Sequence, residues 1–181
     1  MIGEQLDDAR AKMDQAVTHT VSEFGTVRTG RANPGLLSRI TVDYYGAQTP
    51  LQQLANFSVP EARMLVVQPY DKSAIPAIER SIQAADLGLN PSNDGNVIRL
   101  AFPSLTEERR RDLIKVVHRL AEDGRVAIRN VRRHAKDAIE AEDVSEDDIH
   151  RAEKELQDLT NAHIASIDEA LARKEEELLE V

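Results

Sequence analysis

All seven prolines of this 181-residue chain, Pro34, Pro50, Pro60, Pro69, Pro76, Pro91 and Pro103, fall between residues 34 and 103. A proline lacks a backbone donor and its ring clashes with the preceding helical turn, so no long helix runs through that segment. The flanking stretches carry none. The chain is therefore divided into outer parts suited to long helices and an inner part restricted to short elements.

In the outer parts the apolar residues recur at helical spacing. Ile2, Leu6, Ala9, Met13, Ala16, Val17, Val21, Phe24 and Val27 step by about three and four, which predicts a first helix with one buried seam. Gly30 offers a C-terminal turn and Pro34 keeps the helix from resuming. A second seam, Leu113, Val116, Val117, Leu120, Ala127, Val131, Ala135 and Ala138, follows Thr106 and its neighbouring glutamates. It predicts a helix of about 35 residues, roughly 50 Å long. Asp123-Gly124 is its weakest point, because an interior glycine costs up to about 1 kcal/mol relative to alanine. Ser145, with Asp148 three residues on, caps a third helix through Ile149, Ala152, Leu156, Leu159, Ile164, Ile167, Ala170, Leu171 and Leu178. Three long amphipathic helices bury their seams most simply as a bundle.

The inner part has strand-like runs at Ser38–Tyr45, Arg63–Gln68 and Asn96–Phe102, with turn residues at Tyr45-Gly46-Ala47 and Asn93-Asp94-Gly95-Asn96. A short helix over Ala74–Ala85 carries Ile75, Ile78 and Ile82 on one face. The expected fold is α+β: a long three-helix bundle of residues 1–30 and 105–181, with a small β/α/β domain of residues 31–104 inserted in one of its loops. Two connections, near Gly30 to Pro34 and near Pro103 to Leu105, would form a hinge.

Composition removes several functional classes. The chain has no Cys, which excludes disulfides and thiolate chemistry and fits a reducing cytosol. With 41% hydrophobic and only 3% aromatic residues, it has a core of aliphatic side chains. Its acidic start and the lack of a long apolar run give no sign of export or of a membrane span. The five histidines, His19, His118, His134, His150 and His163, show no metal-ligand spacing, and no glycine-rich phosphate loop is present. Neither a catalytic constellation nor a metal site is expected.

Net charge is −9, yet Ser104–Lys136 carries ten Lys and Arg against five Asp and Glu, while Asp137–Asp158 carries two against ten. On the second helix Arg125, Arg129, Arg132, Arg133 and Lys136 lie at about 0°, 40°, 340°, 80° and 20°, whereas Val131, Ala135 and Ala138 lie near 220° to 280°. The cations make one stripe turned mostly away from the core, with Ile128 and Ile139 crowding its edge. Like charges at this spacing repel by a few tenths of a kcal/mol per pair, so acids of the third helix or an anionic partner must offset them. Arginine outnumbers lysine in the stripe, which favours RNA, because guanidinium forks grip phosphates and stack on bases. Arg28 and Arg31 flank the end of the first helix and either extend that footprint or cap the turn. The competing classes are a helical protein-interaction or chaperone-like module facing an acidic protein, and an enzyme concealed in the inserted domain.

Longer motifs narrow the choice. Val27-Arg28-Thr29-Gly30-Arg31-Ala32-Asn33-Pro34, Asp43-Tyr44-Tyr45-Gly46, Asp86-Leu87-Gly88-Leu89-Asn90-Pro91, Leu105-Thr106-Glu107-Glu108-Arg109-Arg110 and Arg129-Asn130-Val131-Arg132-Arg133 occur in order. Over essentially its whole length the chain resembles bacterial ribosome recycling factor. That resemblance implies an L-shaped protein of two domains joined by a flexible double hinge at Thr29, Gly30, Pro103, Ser104 and Leu105. It also implies a cytoplasmic factor that, with the GTPase elongation factor G, splits the ribosome after termination so that its subunits are reused. Arg129, Arg132 and Arg133 would contact large-subunit ribosomal RNA, with Arg28 and Arg31 as weaker candidates and Arg125 and Lys136 joining through the stripe. No cofactor and no membrane partner is implied, and a monomer is expected. The stretch from Lys136 to Ser145 is shorter by about one helical turn than the family pattern.

Overall fold

The computed structural model describes residues 1–180; residue 181, the last of the segment expected in the bundle, lies outside the described residues. The chain divides into two compact units, one of Met1–Arg28 with the chain from Thr106 onward, the other of Thr29–Leu105.

The first unit packs three helices: α1 (Ile2–Gly25), α4 (Glu107–Glu140) and α5 (Glu146–Leu179), the last two of 34 residues each. Both long helices begin on the side chains their sequences suggest. Thr106 Oγ1 accepts from Arg109 N at 3.1 Å, and Ser145 Oγ accepts from Asp148 N at 3.2 Å. Acids in both first turns, Glu107 and Glu108 on α4 and Glu146, Asp147 and Asp148 on α5, complement the positive helix ends.

The seams differ in detail from the apolar pattern. On α1 the buried residue is Thr20, while Val21 is 46% exposed. Steps of four and three from Met13 reach Val17, Thr20, Phe24 and Val27, so the heptad phase selects Thr20. Its hydroxyl is satisfied by donating to Ala16 O at 2.8 Å, and buried Thr160 on α5 repeats the device with Leu156 O at 2.8 Å. On α4 the buried set is Leu113, Val117, Ala121, Gly124, Ile128, Ala135 and Ile139, and Ala127, expected in the seam, is exposed. Gly124 explains the rotation. A Cβ there would run into the Thr20 hydroxyl of α1 and come within 2.9 Å of Ile167 Cδ1 on α5. The helix turns its one side-chain-free position inward, where Thr20 of α1 and Ile167 of α5 pack over it. What the sequence marks as a weak point is a point of close interhelical packing.

In the second unit, β1 (Thr41–Tyr44) and β2 (Ala47–Pro50) form a hairpin. The one-turn helix α2 (Leu51–Leu54) leads into a four-stranded antiparallel sheet in the order β3 (Ala55–Glu61), β4 (Met64–Pro69), β6 (Ile98–Ala101), β5 (Pro91–Asn93). Helix α3 (Ile75–Ala84) buries Ile75, Ile78 and Ile82 in a core with Leu65, Val67, Ile98 and Leu100. Tyr45 and Gly46 both have positive φ, 51° and 83°, as a two-residue type I′ hairpin turn requires, and Asp43 Oδ1 accepts from Gly46 N at 3.1 Å. Three strands escape sequence patterning: β2, β3 and β5. All three are largely exposed, and Pro50, Pro60 and Pro91 sit in them, which is tolerated because β3 and β5 are the sheet's edges and β2 closes a two-stranded ribbon.

Replacing Gly124 with Ala is expected to lower thermal stability. Overpacking costs about 1–3 kcal/mol, more than the gain of up to about 1 kcal/mol that Ala brings inside a helix. Adding Thr20→Ala should recover part of the loss. Thermal denaturation followed by circular dichroism checks both, and an unchanged or raised Tm for Gly124→Ala would show that the helices do not meet there.

Candidate nucleic-acid interface

The rotation of α4 decides where its cations go. With the seam centred on Gly124, Ile128, Ala135 and Ile139, the apolar face lies roughly 50° nearer the cationic stripe than the expected seam. The stripe therefore borders the core. Arg125, Arg132 and Lys136 are half-buried at the border, and Arg129 and Arg133 stand out in solvent.

The five residues separate into two chemical groups. Arg125 is engaged on two sides: its Nε and Nη2 donate to Asp168 Oδ1 on α5 at 2.9 and 2.6 Å, and its Nη1 donates to Glu122 Oε2 at 3.1 Å. Its side chain is only 19% exposed. Asp168, opposed by burial and supported by Glu122, holds the guanidinium further above its ordinary range. Arg129 Nη1 donates to Glu122 Oε1 at 2.9 Å, and the two arginines, Arg129 first, hold the Glu122 carboxyl below its ordinary value. Lys136 lies 3.6 Å from Glu140. Among the described residues, Arg132 and Arg133 have no carboxylate partner; Arg133 reaches only the Asn130 amide oxygen, at 3.4 Å. Acids of the protein thus pair Arg125, Arg129 and Lys136 and leave Arg132 and Arg133 between them without a carboxylate partner.

Arg132 and Lys136 also form one wall of an open cleft of about 290 Å³, whose other wall is α5, through His150, Glu153, Lys154 and Gln157. None of these α5 residues emerges from the sequence as a site. The signal is slight: Lys154 is one of only two cations in Asp137–Asp158, and His150, Lys154 and Gln157 share a face at steps of four and three.

The remaining candidates are dispersed. Arg28 is exposed just beyond α1, and Arg31, also exposed, belongs to the second unit. Gly30 has φ +76°, and a Cβ there would lie 3.4 Å from Leu105 Cγ and 3.5 Å from Pro103 O, so the two connecting strands run side by side. Thr29 and Leu105 are half-buried beside exposed Pro103 and Ser104. Two histidines tie helices together: His118 of α4 meets Glu175 of α5, and His163 of α5 meets Asp14 of α1 at 2.6 Å. Among the described residues no group of three His, Asp or Glu is arranged to hold a metal ion, and no helix is long and apolar enough to cross a membrane.

Comparison with known proteins agrees with this geometry along the whole chain. The sequence pattern of the family described as Ribosome recycling factor matches residues 20–179. The ribosome-recycling factor of Thermobifida fusca is 56% identical over 185 residues, covering 100% of both chains, and that of Streptomyces coelicolor is 54% identical with the same coverage. Among solved structures, a solution structure of a ribosome recycling factor aligns at 43% identity with TM-score 0.77, covering 99% of this chain and 98% of the other. A Thermus thermophilus ribosome recycling factor, described with Escherichia coli elongation factor G on the post-termination complex, aligns at 44% identity with TM-score 0.65, covering 99% and 100%. A three-helix bundle carrying a small sheet domain, a basic helix face and this whole-length likeness together place the chain in the ribosome recycling factor family.

Proposed function

We propose that this chain works on the post-termination ribosome beside elongation factor G, binding large-subunit ribosomal RNA through α4 and helping to part the subunits, without catalysing a reaction itself. The observation that carries the reading is the uncompensated Arg132–Arg133 pair on a helix of 34 residues. Two adjacent guanidinium groups without acids, on a protein of net charge −9, raise the energy of the free state and are relieved by a polyanion. A helix of that length, buried along one side, is stiff enough to transmit a push. The partner GTPase supplies the free energy, so the chain needs neither nucleotide site nor cofactor, and its place of work is the cytoplasm.

Within this reading the cations have different duties. Arg132 and Arg133 grip phosphate, with Arg129 available once Glu122 releases it. Arg125 is a clamp between α4 and α5. Thr29, Gly30, Pro103, Ser104 and Leu105 form the double hinge: one residue with positive φ and one proline lie side by side where the chain passes twice between its units.

Two variants separate these duties. Arg132→Ala/Arg133→Ala should abolish cosedimentation with large ribosomal subunits at physiological salt while shifting stability by no more than about 0.5 kcal/mol. Binding equal to the parent at low salt would reject the RNA reading and favour an acidic protein partner. Arg125→Ala should do the reverse, lowering Tm with subunit binding nearly intact. Its double-mutant cycle with Asp168→Ala should give a coupling of about 0.5–1 kcal/mol, discounted for the exposure of Asp168. A splitting assay with and without elongation factor G tests the function itself, and equal splitting by the double arginine variant would overturn it.

A further inference from the structure

We infer that the cleft between α4 and α5 is a seat for one phosphodiester of an RNA backbone, walled by Arg132 and Lys136 on α4 and by Lys154, His150 and Gln157 on α5. The inference rests on the α4 reading above and extends the contact surface to a helix that reading leaves out.

Charge placement is the first argument. Asp137–Asp158 holds ten acids and two cations, and it lies beside a strongly basic helix. Were stability the only demand, the residues of α5 facing Arg132 and Lys136 would be acids, as Asp168 faces Arg125. Instead Lys154 faces them, and among the described residues neither Lys154 nor Arg132 has an ion-pair partner. Like charges across a helix pair cost free energy that the bundle does not recover. Glu153 is the one carboxylate at the cleft, and it is turned partly to His150, 3.8 Å away. Lys136 is held only loosely by Glu140, at 3.6 Å.

Shape and donor chemistry agree. The cleft volume of about 290 Å³ corresponds to roughly ten water volumes, room for a phosphate group and part of its hydration. The walls are polar and open, unlike the apolar enclosures that hold organic ligands. Arg132 brings a planar fork of N–H donors, Lys136 and Lys154 bring ammonium groups and His150 a ring nitrogen, so the cleft is lined by donor-bearing side chains of two helices; Gln157 beside them already donates its amide to Asn161 Oδ1 at 2.9 Å. His150, Lys154 and Gln157 are exposed on one face of α5 and bear no part of the core, so the grouping is not a by-product of packing.

The test uses the full chain with purified large ribosomal subunits, measuring affinity by cosedimentation across a salt series. Lys154→Gln should weaken binding by about three- to tenfold and reduce the slope of log K against log salt by about 0.7–0.9, one phosphate contact. Lys154→Arg should keep affinity and slope, and Glu153→Gln, which removes the only acid at the cleft, should tighten binding by about two- to fivefold. Lys154 is exposed and Glu153 half-buried at the cleft, neither in the hydrophobic core, and a Tm equal to the parent's checks that the fold is intact. If Lys154→Gln binds like the parent while Arg132→Ala/Arg133→Ala fails to bind, the phosphate seat is wrong and the α4 reading survives. If the double arginine variant also binds normally, both fall. A loss of affinity with unchanged salt slope would mean that Lys154 meets protein, and overturns the seat as well.

Discussion

The close approach of three helices at Gly124 sets the rotation of α4, and that rotation settles the environment of every charge the helix carries. Had Ala127 and Ala138 centred the seam, the five cations would have pointed together into solvent as equivalent groups. With Gly124, Ile128 and Ile139 facing inward, Arg125 is carried to within 2.6 Å of Asp168 and Arg132 is carried to the rim of the α4–α5 cleft. A packing constraint at a residue with no side chain thus produces the electrostatic division between clamp and grip.

That division shows how an acidic chain could present the basic surface proposed above to RNA. The acids are spent locally: Glu122 against Arg129 and Arg125, Asp168 against Arg125, Glu140 against Lys136. Exposed pairs of this kind contribute little stability each, because water already screens the partners. Their larger effect is to draw Arg125, Arg129 and Lys136 toward carboxylates while Arg132 and Arg133 keep none. Net charge describes solubility, and the distribution of charge describes binding.

Much of this was legible in the sequence, for reasons that can be named. Proline positions separate the units, because the missing donor acts at the level of single residues. Apolar steps of three and four locate α1, α4 and α5, and Thr106 and Ser145 mark two of their starts through chemistry that involves only the next three residues. The hairpin turn at Tyr45-Gly46 is equally local. What stayed hidden depends on partners distant in the chain. β2 and β5 are short, exposed strands with no apolar face to pattern them, and β3 is an edge strand whose apolar face is reduced to Ala55 and Phe57 and ends at Pro60. Gly124 looks like a helix breaker until the helices are brought together, when Thr20 of α1 and Ile167 of α5 occupy the space a Cβ there would need. The stripe was legible as a set of residues, but its splitting was not, since Asp168 is 43 residues from Arg125.

Placing the proposed contact residues on helices rather than loops lowers the cost of binding RNA. A loop carrying Arg132 and Arg133 would lose conformational entropy on meeting RNA, and that ordering would weaken binding and absorb part of any push applied to the protein. On α4 the backbone is already fixed by Ile128, Ala135 and Ile139 packed beneath it and by caps at its ends, so only side-chain freedom remains to be lost. On the proposed reading, bundle stability and RNA affinity are therefore linked through α4, and a change that loosens the seam at Gly124 would weaken that binding without altering any of the proposed contact residues.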